Sequence, residues 1–177
     1  MKKILLCIIS LYLGGCYSMA HVEDPIAAEQ GIECEYDSFA KTNICTGRHI
    51  VTKAADLTSP SANSYLSVDL AQKYLSPKLI IRINQANNWT FPKQVIDSNG
   101  QKFATSQIDS QIPMCYSGIC TTWEYIGINL SMNYLRQHAQ TGFSMKTYGI
   151  RGNVVINIPA AYIQGFLNFI NNNKGLQ

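Results

Sequence analysis

The six residues Cys115-Tyr116-Ser117-Gly118-Ile119-Cys120 limit what this chain can become more than any other stretch. Ser117-Gly118 has the chemistry of a two-residue hairpin turn, which makes Tyr116 and Ile119 the hydrogen-bonded pair beside it. Cys115 and Cys120 then fall at the next, non-hydrogen-bonded pair, where alpha carbons lie about 4.5 Å apart. That spacing is at the short end of what a disulfide tolerates. The stretch therefore predicts a covalently closed β-hairpin.

Cys34 and Cys45 can close the loop Glu35–Ile44 in a similar way. Leaving aside Cys7 and Cys16 near the N-terminus, four of the six cysteines remain; they allow three connectivities, and the short separations favour the two local pairs. A loop-entropy argument gives each bridge on the order of 2–3 kcal/mol. Zinc sites use closely spaced cysteine pairs backed by a second pair or by histidines. Neither spacing here has that form, so no metal and no cofactor is assigned.

Apolar alternation extends the β pattern along the chain. Leu79, Ile81 and Ile83 share one face of a strand, as do Thr122, Glu124, Ile126, Ile128 and Leu130. Phe143, Met145 and Thr147 alternate, and so do Val154, Ile156 and Ile158. Asp97-Ser98-Asn99-Gly100 is a strong turn signal. Short strands at this spacing predict a mainly β fold, an antiparallel immunoglobulin-like sandwich or a barrel. Two helices interrupt it. One, near 131–141, is capped by Ser131 and stops at Gly142. The other, near 159–171, opens at Pro159 and carries Tyr162, Ile163, Phe166, Leu167 and Ile170 as a stripe expected to pack on the sheet.

The N-terminus has a different logic. Lys2 and Lys3 precede ten mostly apolar residues, the layout of a secretory signal. A membrane-spanning helix needs about 20 apolar residues. Leu13-Gly14-Gly15-Cys16 resembles the bacterial lipobox. The resemblance implies cleavage before Cys16, lipidation of Cys16, and anchoring to the bacterial cell envelope. Tyr17, in place of an aspartate after the cysteine, implies the outer membrane. The expected organisation is a signal peptide over 1–15, a lipidated N-terminus and polar tether over 16–31, and one β-rich domain over 32–177. Losing Lys2 and Lys3 lowers the formal net charge of +3 to +1. Such a surface argues against nucleic acid as a partner, because that binding draws on many cations.

Candidate chemistry is sparse. His21 falls in the tether, His49 beside a strand and His138 on a short helix, and none has a neighbouring acid and nucleophile at motif spacing. Glu124, between Trp123 and Tyr125, has two readings: an acid in an apolar setting, or a carboxylate on the solvated face of a sheet. The second is the expectation, and no catalytic residue is assigned. Tyr65, Tyr74, Trp89, Tyr116, Trp123, Tyr134 and Tyr148 can supply interface anchors, since such rings give large contact area at low entropy cost.

An early cysteine pair, a later C-x4-C and the terminal Gly165-Phe166-Leu167 look similar to the invasion-associated locus B family of exported proteins. That resemblance implies a small β-sandwich between about Ile32 and Ile170. The glycine before Cys120 stands one place earlier than in the family pattern, and no functional residue is carried over. The resulting expectation is a membrane-anchored lipoprotein with a non-enzymatic binding or assembly role toward an envelope protein or glycan. An envelope hydrolase, or an inhibitor of a host hydrolase, is the alternative, with Glu124 joined to His49 or His138 as the enzyme's test. A structural subunit of a secretion apparatus is a third possibility.

Overall fold

Strand alternation becomes a two-sided sheet at β5 (Lys78–Ala86), where Leu79, Ile81 and Ile83 are at most 1 % exposed while Arg82 between them turns the other way. The computed structural model describes residues 23–39, 41–54, 59–71 and 74–173. Residues 1–22, with Cys16 and His21, lie outside them.

The remaining elements are α1 (Pro25–Gln30), β1 (Glu33–Asp37), β2 (Thr42–Thr46), β3 (Ile50–Thr52), β4 (Ser61–Asp69), β6 (Pro92–Asp97), β7 (Lys102–Phe103), β8 (Thr105–Tyr116), β9 (Ile119–Asn129), α2 (Met132–Gln137), β10 (Phe143–Gly149), β11 (Val155–Ile158) and α3 (Ala160–Asn173). The fold is mainly β, as expected, with two antiparallel sheets. The larger has seven strands in the order β1-β2-β4-β5-β9-β8, with β3 also on β4, and it curls as a half-barrel. The smaller has the order β11-β10-β6-β7. The chain passes from one sheet to the other at Ala104, between β7 and β8.

Both disulfides are the local ones, Cys34–Cys45 and Cys115–Cys120, and each joins directly opposed residues of an antiparallel pair. Ser117 and Gly118 both take positive φ, as a primed hairpin turn requires. Beyond Thr105 the whole of β8 is exposed, and two bulges interrupt its pairing with β9.

One core lies between the inner face of the large sheet, the small sheet and α3. Leu66, Ile81, Ile126 and Ile128 meet Met145, Ile156 and Ile158 there, with Phe166 and Ile170 of α3. Tyr162 fastens α3 to the sheet. Its hydroxyl donates to the Arg48 carbonyl at 2.9 Å and accepts from the Leu66 N–H at 3.0 Å. Burial raises its pKa, the Leu66 amide opposing, so the hydroxyl stays a donor. Gly47 is required beneath it, because a Cβ there would overlap the Tyr162 hydroxyl. The helix α2 is shorter than expected: Ser131 caps its start, accepting from Tyr134 N at 3.0 Å, but it ends at Gln137 with His138 as C-cap. Gly142, at φ +69°, lies beyond it in the turn that follows.

The expected tether over 16–31 needs correcting at its C-terminal end. Asp24 caps α1 through Ile26 N and Ala27 N, and Ala28 is buried against α3. Gly165 permits the approach, since a Cβ there would meet the Pro25 carbonyl and Ala28. A six-residue helix is too short to display a periodic stripe.

Replacing Tyr162 with Phe keeps the packing and leaves Leu66 N–H and Arg48 C=O without their partner. Urea unfolding is expected to show a loss of about 1–3 kcal/mol. An unchanged midpoint would mean that the hydroxyl does not secure the helix.

Candidate functional site

Side chains that do not point into the core point out of the other face of the same sheet, and register decides which of them meet. Across β4, β5 and β9 the rows are Ser61, Asn84 and Trp123; then Asn63, Arg82 and Tyr125; then Tyr65, Ile80 and Gly127. Cross-strand neighbours on one face lie about 5 Å apart, so these rows form one continuous surface. It is polar and aromatic, while the inner face of the same strands is mostly aliphatic, with Leu66, Leu79, Ile81, Ile83, Ile126 and Ile128.

Arg82 is its centre. The guanidinium lies over the Trp123 ring, 4.5 Å from the centroid. Its outer end faces the Asn63 amide. Arg82 Nε is buried without a hydrogen-bond partner, and so is Asn84 Oδ1, although Asn84 Nδ2 reaches Ser61 Oγ at 3.4 Å. Among the described residues no carboxylate forms an ion pair with Arg82. The acid nearest in register is Asp109, opposite Tyr125, and it binds Ser110 N and the Gln111 amide. Ile80 is 7 % exposed at the floor, and Ile108 leans over Gly127, which has no side chain to obstruct it.

His49 stands at the rim, its ring stacked on Tyr65 with centroids 4.6 Å apart. Burial holds its pKa below the ordinary value, and the Arg82 charge lowers it further. Burial likewise raises the pKa of Tyr65, Tyr125 adding to it and Arg82 opposing.

The expectation that Glu124 occupies a solvated face is overturned. Glu124 is 3 % exposed and points inward with Ile126 and Ile128. It accepts from Thr90 N at 2.5 Å, from Phe91 N at 2.9 Å and from the Thr90 hydroxyl. These bonds fix the segment after β5, where Asn87 and Phe91 hold positive φ that non-glycine residues rarely adopt. Glu124 is a brace for that segment.

His138 is elsewhere again. It ends α2, with Nδ1 2.9 Å from the Tyr134 carbonyl and its ring against Tyr134 and Phe143. It borders an open cleft of ≈ 450 Å³ with Asn99, Ser144 and Asn157. Glu124, His49 and His138 are thus not brought together. Among the described residues no three His, Cys, Asp or Glu side chains gather as a metal site. Of the aromatic anchors, Tyr65 and Trp123 belong to the Arg82 surface, Tyr134 is buried with its hydroxyl on Asp97, and Tyr74 and Tyr116 are exposed. Arg82 itself was missed in the sequence. Its signal was a lone cation in the apolar run Leu79-Ile80-Ile81-Arg82-Ile83.

Two outcomes follow. Glu124→Gln leaves an amide facing backbone donors, and is expected to lose about 1.5–3 kcal/mol in urea unfolding with the fold retained. In Arg82→Gln, NMR titration of His49 should move upward toward the ordinary value but stay below it, because burial remains. Since the folded value is the lower one, His49 lets stability fall as pH drops below about 6.5 and leaves it unaffected above. An unmoved titration would place Arg82 out of electrostatic reach.

Compared with known proteins, the chain matches no family model, no curated protein and no solved structure. The resemblance to the invasion-associated locus B family rests on the cysteine and Gly165-Phe166-Leu167 pattern alone.

Proposed function

We propose that this chain is an envelope lipoprotein, lipidated at Cys16, that binds an envelope protein or glycan on the outer face of its large sheet. The observation that carries the binding role is Arg82, half-buried among Trp123, Tyr125 and Asn63, with Nε unsatisfied and no acid paired to it among the described residues. A folded surface stabilises such a group when a partner completes it.

The anchoring role draws on the lipobox resemblance at Leu13-Gly14-Gly15-Cys16 and on Tyr17, which favours the outer membrane. Eight residues separate Cys16 from α1, at most about 30 Å of extended chain. The corrected tether therefore keeps the domain close to the bilayer. Two acyl chains or more give stable anchoring.

The hydrolase alternative is weakened, because Glu124 faces the core while His49 and His138 stand apart from it and from each other. One feature favours the inhibitor alternative: Met114, Tyr116 and Ile119 are exposed beside the disulfide at the end of the β8–β9 hairpin.

Labelled palmitate fed to cells should enter the wild-type protein and not Cys16→Ser, with the wild type in the outer-membrane fraction. A wild type that takes up no label overturns the anchor. Photo-crosslinking in intact cells, with a photoreactive residue replacing Tyr65 or Tyr116, then separates the binding readings. Adducts from position 65 support the sheet face, and adducts from 116 alone support the hairpin.

A further inference from the structure

We infer that the ligand of the Arg82 face is an acidic polysaccharide, a sugar chain bearing carboxylates. The inference rests on the reading of this face as a binding surface and names what it takes.

Charge comes first. Arg82 is a cation with no anionic partner among the described residues, its guanidinium pressed on Trp123 and its Nε closed off from solvent. A partly desolvated guanidinium is best completed by a carboxylate held through charge-assisted hydrogen bonds. Lys78 lies on the same face four residues along β5, about 13 Å away at strand spacing. A chain with repeated carboxylates meets both cations, whereas a single small acid meets one.

The neighbouring side chains then choose between a sugar and a peptide. Ser61, Asn63, Ser67, Asn84 and Asn129 share this face with Arg82. Hydroxyls and carboxamides both donate and accept, which suits a ligand dense in hydroxyls. Tyr65, Trp123 and Tyr125 add ring surfaces whose negative faces attract the C–H side of a pyranose ring. An extended peptide prefers a sheet edge, where backbone groups are unpaired. The β8 edge is broken by two bulges and by Pro113, which lacks an N–H. The rows of this face run from β4 across β5 to β9, so a chain laid across the three strands meets Asn63, Arg82 and Tyr125 in turn.

The test uses the full-length protein in detergent micelles, with isothermal titration calorimetry and three probes: tetragalacturonate, maltotetraose and tetraglutamate. Tetragalacturonate should bind with a Kd of about 1 mM or tighter at low salt. It should bind about ten-fold more tightly than either other probe, and weaken as salt rises. Arg82→Gln should lose about ten-fold, with its circular dichroism unchanged. If that variant does not fold, Asn84→Ala carries the test and should lose several-fold.

Equal binding of maltotetraose overturns the requirement for charge. Equal binding of tetraglutamate overturns the choice of sugar. If no probe binds while crosslinks still form at position 65, the polysaccharide is wrong and the binding face stands. If neither occurs, both fall.

Discussion

The seating of α3 by the Tyr162 hydroxyl governs the rest of the molecule. One oxygen satisfies a buried N–H of β4 and the carbonyl of Arg48, and Gly47 leaves the space it needs. An unsatisfied backbone group in this position would cost about 1–3 kcal/mol, so the contact fixes which side of the large sheet the helix covers. The small sheet closes the same side. With α3 and the small sheet both committed to the inner face, the outer face must be stabilised by its own side chains. That is where Arg82, Trp123 and Tyr65 are found.

Glu124 and Arg82 show how the two faces depend on each other. They are on adjacent strands and point in opposite directions. Glu124 spends its oxygens on Thr90 and Phe91, holding the segment that leaves β5. Asn87 in that segment also pairs with Cys120 through Asn87 N–H and its side-chain carbonyl, at 2.7 and 2.6 Å. The brace and the stapled hairpin together set the end of β5 on which the outer-face rows are registered. The inward carboxylate therefore supports the outward cation without touching it.

Much of this was legible in the sequence because it depends on local chemistry. The hairpin at Ser117-Gly118, the alternation of Leu79, Ile81 and Ile83, the Ser131 cap and the stripe on α3 all follow from spacing within one element. Glu124 was misplaced for an instructive reason. Its alternation with Ile126 and Ile128 assigned it inward, while its charge argued outward. The alternation prevailed because the Thr90–Phe91 backbone supplied the donors a buried carboxylate needs. The Arg82 surface was illegible because it needs the register of three strands: Asn63, Arg82 and Tyr125 are distant in sequence and become neighbours only through pairing. The helix α1 was too short to carry any periodic signal.

The central claim is that the outer face of the large sheet is the part of this protein occupied in its native setting. Hydroxyl-radical footprinting of the protein in intact envelopes, compared with the purified protein, addresses it directly. Trp123, Tyr65 and Tyr125 are expected to be protected in the envelope, with Tyr36 and Tyr148 labelled equally in both. Protection confined to Tyr36 and Tyr148, with Trp123 and Tyr65 unchanged, would contradict it.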